Sequence, residues 1–312
     1  MEYTGLAVKY RINRALSEQE LQRRLHQSAR LDVEPAYELS VSEFNASYME
    51  VVDKYYAWKG FLTTFLISAM ALVGGGFMFV AGSLALEALT SAADPATVWG
   101  FAVLMFLLAA TLIAGGVWLL RKESFAYTHY PIRLNRKTRM VHVFRLDGSV
   151  LSVPWNEVFF CLGALPQRGW EIQGHVLNAD GQTVKETFAF APHGVGERER
   201  EMLKQYWEFV RRYMEDGPQA VASEVKVCLP IAERRETFAF GWHRTHYHVG
   251  ALPLVMQALM LLLYLVIYPG RWFALRTSRI PQWPADVDDS HGAGMAAART
   301  RSPNATPQEI ES

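Results

Sequence analysis

GFLTTFLISAMALVGGGFMFVAGSLAL, Gly60 to Leu86, runs its whole length without one ionisable side chain. A helix needs about 20 predominantly apolar residues to cross a hydrocarbon layer about 30 Å thick, and this stretch exceeds that. A second uncharged stretch, Ala96 to Leu120, follows after a short linker. Together they predict a transmembrane helical hairpin over residues 59–121, with spans at about 60–86 and 97–120. Trp58, Trp99 and Trp118 lie near the span ends, where amphipathic rings favour the headgroup level. The linker Glu87 to Pro95 carries Glu87 and Asp94 but no Lys or Arg, whereas Arg121 to Arg139 holds six basic residues and only Glu123 as an acid. The positive-inside rule therefore predicts an external linker and two cytoplasmic flanks.

Beyond the hairpin, RLNRKTR (Arg133 to Arg139) concentrates Arg133, Arg136, Lys137 and Arg139 in seven positions. At an inner leaflet each such charge gains about 1 kcal/mol from anionic lipid if it lies close to the surface. The run reads as a lipid-facing topology signal that doubles as a turn. No aromatic interleaving or basic helical face accompanies it, which excludes nucleic acid as a partner.

Residues 122–220 read as a cytoplasmic antiparallel β module. Asp147-Gly148 is a hairpin signal between Met140–Leu146 and Val150–Val153. Trp155 to Cys161, Trp170 to Leu177 and Thr183 to Phe190 supply further strands, the last two around an Ala179-Asp180-Gly181 turn. Helix 197–214 closes the module, with Leu203, Trp207, Val210 and Met214 on one face. About six short strands capped by one helix resemble the element order of a pleckstrin-homology-like fold, which by itself implies no ligand.

Residues 1–58 are expected to be a cytoplasmic helical region without a signal peptide. Ser17-Glu-Gln-Glu20 fits a capping box, and the spacing of Phe44, Tyr48, Val51, Val52 and Tyr55 suggests that Ser42 to Trp58 is a helix running into the first span. Residues 221–249 read as a connecting strand region. The string ETFAF occurs at Glu186–Phe190 and again at Glu236–Phe240, as two similar strands would. Gly250 to Tyr268 is just long enough to be a third membrane helix, spanning or re-entrant. Crossing would carry Arg271, Arg276 and Arg279 outside, against the charge bias. Residues 269–312 read as a tail, disordered after about 285. The fold class expected is thus an α+β membrane protein.

The formal net charge is zero, and the two cysteines, Cys161 and Cys228, cannot make a disulfide framework. Phosphate loops, HExxH, CxxC and GxSxG motifs are absent from the sequence, so neither an enzyme nor a cofactor is expected. His243, His246 and His248 are the best metal candidates, yet no thiolate or carboxylate completes a ligand set. Their neighbours Trp242 and Tyr247 favour a membrane border, and no metal is expected. Uncharged spans exclude ion and proton pathways. Small residues mark the spans instead: Ala71, Gly74, Gly75 and Gly76 in the first, Ala110, Ala114 and Gly115 in the second. They let helix backbones approach closely in lipid, either within the hairpin, in self-association or against a partner.

Asn135 to Arg145 (NRKTRMVHVFR), Pro154-Trp155 and Gly270 to Pro284 (GRWFALRTSRIPQWP) resemble an uncharacterised family of bacterial inner-membrane proteins, over roughly residues 30 to 290. Members are often encoded beside colicin-like, pore-forming type VI secretion toxins. The resemblance implies an immunity role against a membrane-inserting toxin, and no functional residues. The rival expectation is a membrane-anchored adaptor whose β module binds a protein or a lipid headgroup.

Overall fold

A computed structural model describes residues 10–90, 95–165, 169–232, 234–249 and 253–288. The chain is mixed α+β and forms two compact units. One contains the chain up to Ala57, Thr128–Arg235 and the residues from Ile280 onward; the other contains Trp58–Tyr127 and Glu236–Arg279.

The first unit holds two antiparallel five-stranded sheets. One sheet is a meander of β3 (Val41–Phe44), β4 (Tyr48–Val51), β5 (Ile132–Asn135), β6 (Met140–Phe144) and β7 (Val150–Pro154), in that spatial order. The other has the order β1 (Arg14–Ala15), β10 (Thr183–Val195), β9 (Gly169–Leu177), β8 (Val158–Leu165), β2 (Arg24–Leu25). The expected turns form as their residues dictate. Gly148 adopts φ 85° between β6 and β7, a left-handed conformation that glycine enters without a Cβ penalty. The Asp147 carboxylate accepts from the Ser149 N–H there. Between β5 and β6, the Asn135 side chain accepts from the Thr138 N–H.

Helix α6 (Glu197–Glu215) follows β10, and Leu203, Trp207, Val210 and Met214 are all buried as their spacing predicts. Trp207 stacks on Trp155 at 5.7 Å and packs on Phe160 at 4.9 Å. Tyr206, Phe209 and Tyr213 are buried too, because residues 31–45 cover a second side of the helix. There Leu31 N–H donates to Glu208, and the Tyr213 hydroxyl donates to the Asn45 carbonyl.

The N-terminal expectation is corrected. The Ser17 capping box does form, on the short helix α1 (Glu18–Gln22). Residues 42–51, however, are not helical: they form the hairpin β3–β4. Asn45 turns the chain, its side-chain oxygen accepting from the N–H groups of Ser47 and Tyr48 at 2.9 Å each. Only Tyr55–Trp58 (α2) is helical in the stretch before the first long apolar helix. The boundary at residue 122 moves as well, since β4 pairs with β5 through Val51↔Ile132 and Met49↔Leu134. The expected strand region 221–249 contains instead short 3-10 turns and helix α7 (Phe238–Val249). The second ETFAF is not a strand like the first. Thr237 Oγ1 accepts the Phe240 N–H and begins the helix, whereas Glu186–Phe190 lies inside β10.

The second unit contains three stretches long and apolar enough to cross a membrane: Tyr55–Thr90, whose first turn precedes the unit, Pro95–Glu123 and Leu254–Thr277. The last, α8, runs from Leu254 through Pro269 to Thr277, so residues 269–277 are helix and not tail. Gly250–Leu252 and the tail from residue 289 lie outside the described residues.

Candidate partner face and polar anchor

The hairpin consists of α3 (Phe61–Ala69), a π-turn at Met70–Gly74, α4 (Gly75–Thr90) and the antiparallel α5 (Pro95–Glu123). Its seam is made by small residues seven apart. Gly74 and Ala81 are buried on the first limb; Ala102, Ala109 and Gly116 are buried on the second. A seven-residue repeat keeps one stripe facing a partner helix, and small side chains let the backbones close in. A Cβ at Gly116 would lie 2.7 Å from Met70 Sδ, and one at Gly74 would lie 3.0 Å from Ile113 Cγ1.

This seam divides the residues singled out in the sequence. Gly74 belongs to it. Ala71, Gly75, Gly76, Ala110, Ala114 and Gly115 are exposed, and a Cβ at Gly75, Gly76 or Gly115 would meet nothing within 4 Å. Sequence reasoning missed Ala81, Ala102, Ala109 and Gly116, although their seven-residue period was there to be read. The π-turn inserts one residue into the i→i+4 ladder and so shifts the phase of the first limb at that point. Gly74 therefore faces inward while its neighbours face outward.

At one end of the unit the helices meet in a polar anchor. The Glu123 carboxylate, from the last residue of α5, accepts the Gly60 N–H at 2.8 Å and the Thr63 N–H at 2.6 Å. It thereby caps α3, whose own N-cap residue is a glycine with no side chain to do so. Gly60 sits at φ 95°, and a Cβ there would collide with the Arg271 backbone. Lys59 Nζ donates to the carbonyls of Glu123 and Tyr127 at 2.8 and 2.7 Å. Arg271, 1% exposed, donates twice to Glu236 (3.0 and 2.6 Å) and once to the Lys59 carbonyl at 2.9 Å. Thr64 Oγ1 donates to the Ile267 carbonyl at 3.1 Å, tying α3 to α8.

Helix α7 runs antiparallel to α8. Phe238 packs on Tyr268 at 4.5 Å and Trp242 on Tyr264 at 6.2 Å. Twelve residues of α7 cover about 18 Å at 1.5 Å per residue, short of the hydrocarbon thickness.

The basic run is dispersed in the first unit. Arg133 is buried, not lipid-facing. Its Nε donates to Glu50 Oε2 at 3.1 Å, and its guanidinium lies 4.4 Å from the Tyr48 ring and 4.7 Å from the Trp283 ring. Trp283 Nε1 donates to the same Glu50 oxygen at 2.8 Å. Arg139 also works inside the fold, bonding the Met214 carbonyl, Asn156 and Glu215 at the end of α6. Arg136 is half-buried and Lys137 exposed.

Cys161 is buried with its Sγ 3.4 Å from His175 Nε2, and Cys228 is half-buried; both are free. Burial, and then the nearby Glu20 carboxylate, push the Cys161 thiol far above its usual range, which disfavours the reactive thiolate. His243 is exposed on α7, while the side chains of His246 and His248 lie outside the described residues. Among the described residues, no three His, Cys, Asp or Glu side chains are grouped to hold a metal.

Residues 107–294, more than half of the chain, match the family of unknown function DUF6708. The chain belongs to that family, whose matched region runs from the second apolar helix through both sheets' later strands to the segment after α8. No curated protein and no solved structure matches it.

Proposed function

We propose that this protein is integral to the bacterial inner membrane and that its hairpin receives the helices of a membrane-inserting toxin, making it an immunity protein and not an enzyme. The observation that carries the reading is the division within the hairpin. The Gly74–Ala81 and Ala102–Ala109–Gly116 seam packs the hairpin on itself, while Ala71, Gly75, Gly76, Ala110, Ala114 and Gly115 lie exposed outside it. A pore-forming toxin must assemble helices in the bilayer. Docking on a resident face of small residues would cap that assembly laterally. The resemblance of Asn135–Arg145 and Gly270–Pro284 to proteins encoded beside such toxins supports the same partner.

The membrane reading also fixes a topology. Glu50 precedes the first span, Arg133 follows the second and Trp283 follows α8, yet the three share one buried cluster. Hydrocarbon cannot separate groups in contact, so each excursion of the chain must return to the side it left. The first excursion is the two-span hairpin. The second is a re-entrant pair, α7 descending and α8 returning. Arg271, Arg276 and Arg279 then stay on the side of Arg121 and Lys122, as the charge rule requires, and that side is the cytoplasm.

The test is protection of membrane potential during co-expression with a neighbouring toxin. Gly75→Leu with Ala110→Leu should insert normally, since leucine is favourable in lipid, and should lose protection. Gly116→Leu should disrupt the hairpin itself. Lys137→Ala should leave protection intact. One observation favours a second reading: strands β5–β10 are followed by a single amphipathic helix, α6, a β module that an anchored adaptor would use to bind a protein or a lipid headgroup. If the leucine pair still protects and substitutions on the sheets do not, that adaptor reading takes over.

A further inference from the structure

The anchor end of the second unit sorts its charges by sign. Its carboxylates among the described residues, Glu123 and Glu236, are both buried and engaged within the unit. The charged side chains left exposed there are all cationic: Arg121, Lys122, Arg276 and Arg279. Glu87, an exposed carboxylate among the described residues, lies at the other end of α4. This end therefore presents a positive rim that no acid on its own surface neutralises.

Beneath the rim lie exposed aromatic rings in a repeated arrangement. On α5, Lys122 Nζ sits 5.1 Å from the ring centroid of Trp118; on α8, the Arg276 guanidinium sits 5.7 Å from that of Trp272. In both helices the cation is four residues after the Trp, one turn nearer the helix end. Trp118 is 62% and Trp272 50% exposed. The two helix ends adjoin, since the Arg279 N–H donates to the Ala126 carbonyl at 2.8 Å and Phe125 meets Phe273 edge-on at 6.1 Å. An exposed Trp anchors at headgroup depth. A cation one turn further out reaches the phosphate plane, and the ring below holds it there.

We infer that the Trp118–Lys122 and Trp272–Arg276 pairs form an interface for the phosphodiester groups of anionic phospholipid. Two fixed cations over two rings discriminate by charge: a zwitterionic headgroup brings its own ammonium to compete for the phosphate, whereas an anionic one does not. This interface takes the lipid role that the sequence had suggested for Arg133 to Arg139. It rests on the membrane reading above, and alkaline carbonate extraction tests that reading separately.

The experiment uses the full chain purified with its surrounding lipid from membranes containing phosphatidylglycerol and phosphatidylethanolamine. Retained phospholipid is compared with the bulk membrane by mass spectrometry. Wild type should be enriched in phosphatidylglycerol. Lys122→Gln with Arg276→Gln should fall to the bulk ratio, while the charge-preserving pair Lys122→Arg with Arg276→Lys should keep the enrichment. Lys137→Gln should match wild type. A wild type without enrichment, an enriched glutamine pair, a charge-preserving pair at the bulk ratio, or loss in Lys137→Gln would each overturn the inference. Release of wild type by carbonate would instead remove the membrane reading on which it stands.

Discussion

Trp283 donates its indole N–H to the Glu50 carboxylate at 2.8 Å, across a separation of 233 residues that includes the three membrane-length helices found among the described residues. With Arg133 bound to the same carboxylate oxygen, three segments that flank the apolar helices converge on one group. In a Cys228→Ser background that keeps the buried Cys161, a cysteine added at Lys137 or at Ser302 should be shielded from a membrane-impermeant maleimide in intact cells, and one added at Ser91 should react. Labelling at position 302 with protection at 137 would carry α8 across the bilayer and refute the re-entrant assignment.

Glu236 and Arg271 form a pair buried within the anchor. Removing one partner of such a pair strands a charge and costs about 3–5 kcal/mol, whereas replacing both with neutral groups recovers much of that. Glu236→Gln should therefore sharply lower the thermal midpoint in detergent, and adding Arg271→Met should restore part of it. Additive losses in the double variant would mean that the two side chains do not depend on each other.

Trp155 is 0% exposed, stacked on Trp207 and tilted against Phe160, and its Nε1 donates to Glu215 at 2.7 Å. Trp155→Ala should destabilise the first unit by about 3–5 kcal/mol, the usual range for deleting a large core aromatic; urea unfolding followed by far-ultraviolet circular dichroism measures it. For a related reason, residues 123–220 alone should not fold, because the fragment lacks β3 and β4 and leaves β5 an open edge. A cooperative transition from that fragment would contradict the sheet order.

Burial pushes the His142 imidazole down to about 4, with the Arg133 guanidinium acting in the same direction and Asp286 opposing. The unfolded chain binds a proton there near pH 6.5, so between about 6.5 and 4 it holds more protons than the folded state. This contribution to stability is full above pH 6.5 and is lost as pH falls through that window. His142→Gln should flatten the corresponding part of the stability profile. An unchanged slope between wild type and variant would show that other groups set it.

Much of this architecture was legible where a local signal sufficed. Uncharged length gave the long apolar helices, Asp147-Gly148 gave its turn, and a 3.6-residue period gave α6. What failed needed distant partners. Phe44, Tyr48 and Val51 fit a helical spacing about as well as a strand, and the partner that decides for β4 lies beyond the hairpin at Ile132–Asn135. Arg133 reads as a surface cation until Tyr48 and Trp283 are brought against it. ETFAF carries no state of its own: a sheet neighbour makes it strand, and a capping Thr237 makes it helix. In the hairpin, residue size was readable; on the first limb the inward face depended on a π-turn that shifts the helical phase, whereas on the second the seven-residue period of Ala102, Ala109 and Gly116 was itself the signal.

The pairing of β4 with β5 also sets an order of events during synthesis. Tyr48–Val51 leaves the ribosome long before Ile132–Asn135, and the whole hairpin emerges between them. The sheet can therefore close only after both apolar helices have been made, and, on the membrane reading proposed above, after they have been handed to the insertion machinery and come back. A hairpin that stalls before β5 returns leaves β4 with an unmatched hydrogen-bonding edge. Such an edge is a recognisable mark of an unfinished molecule, available to chaperones and proteases before a defective copy can accumulate.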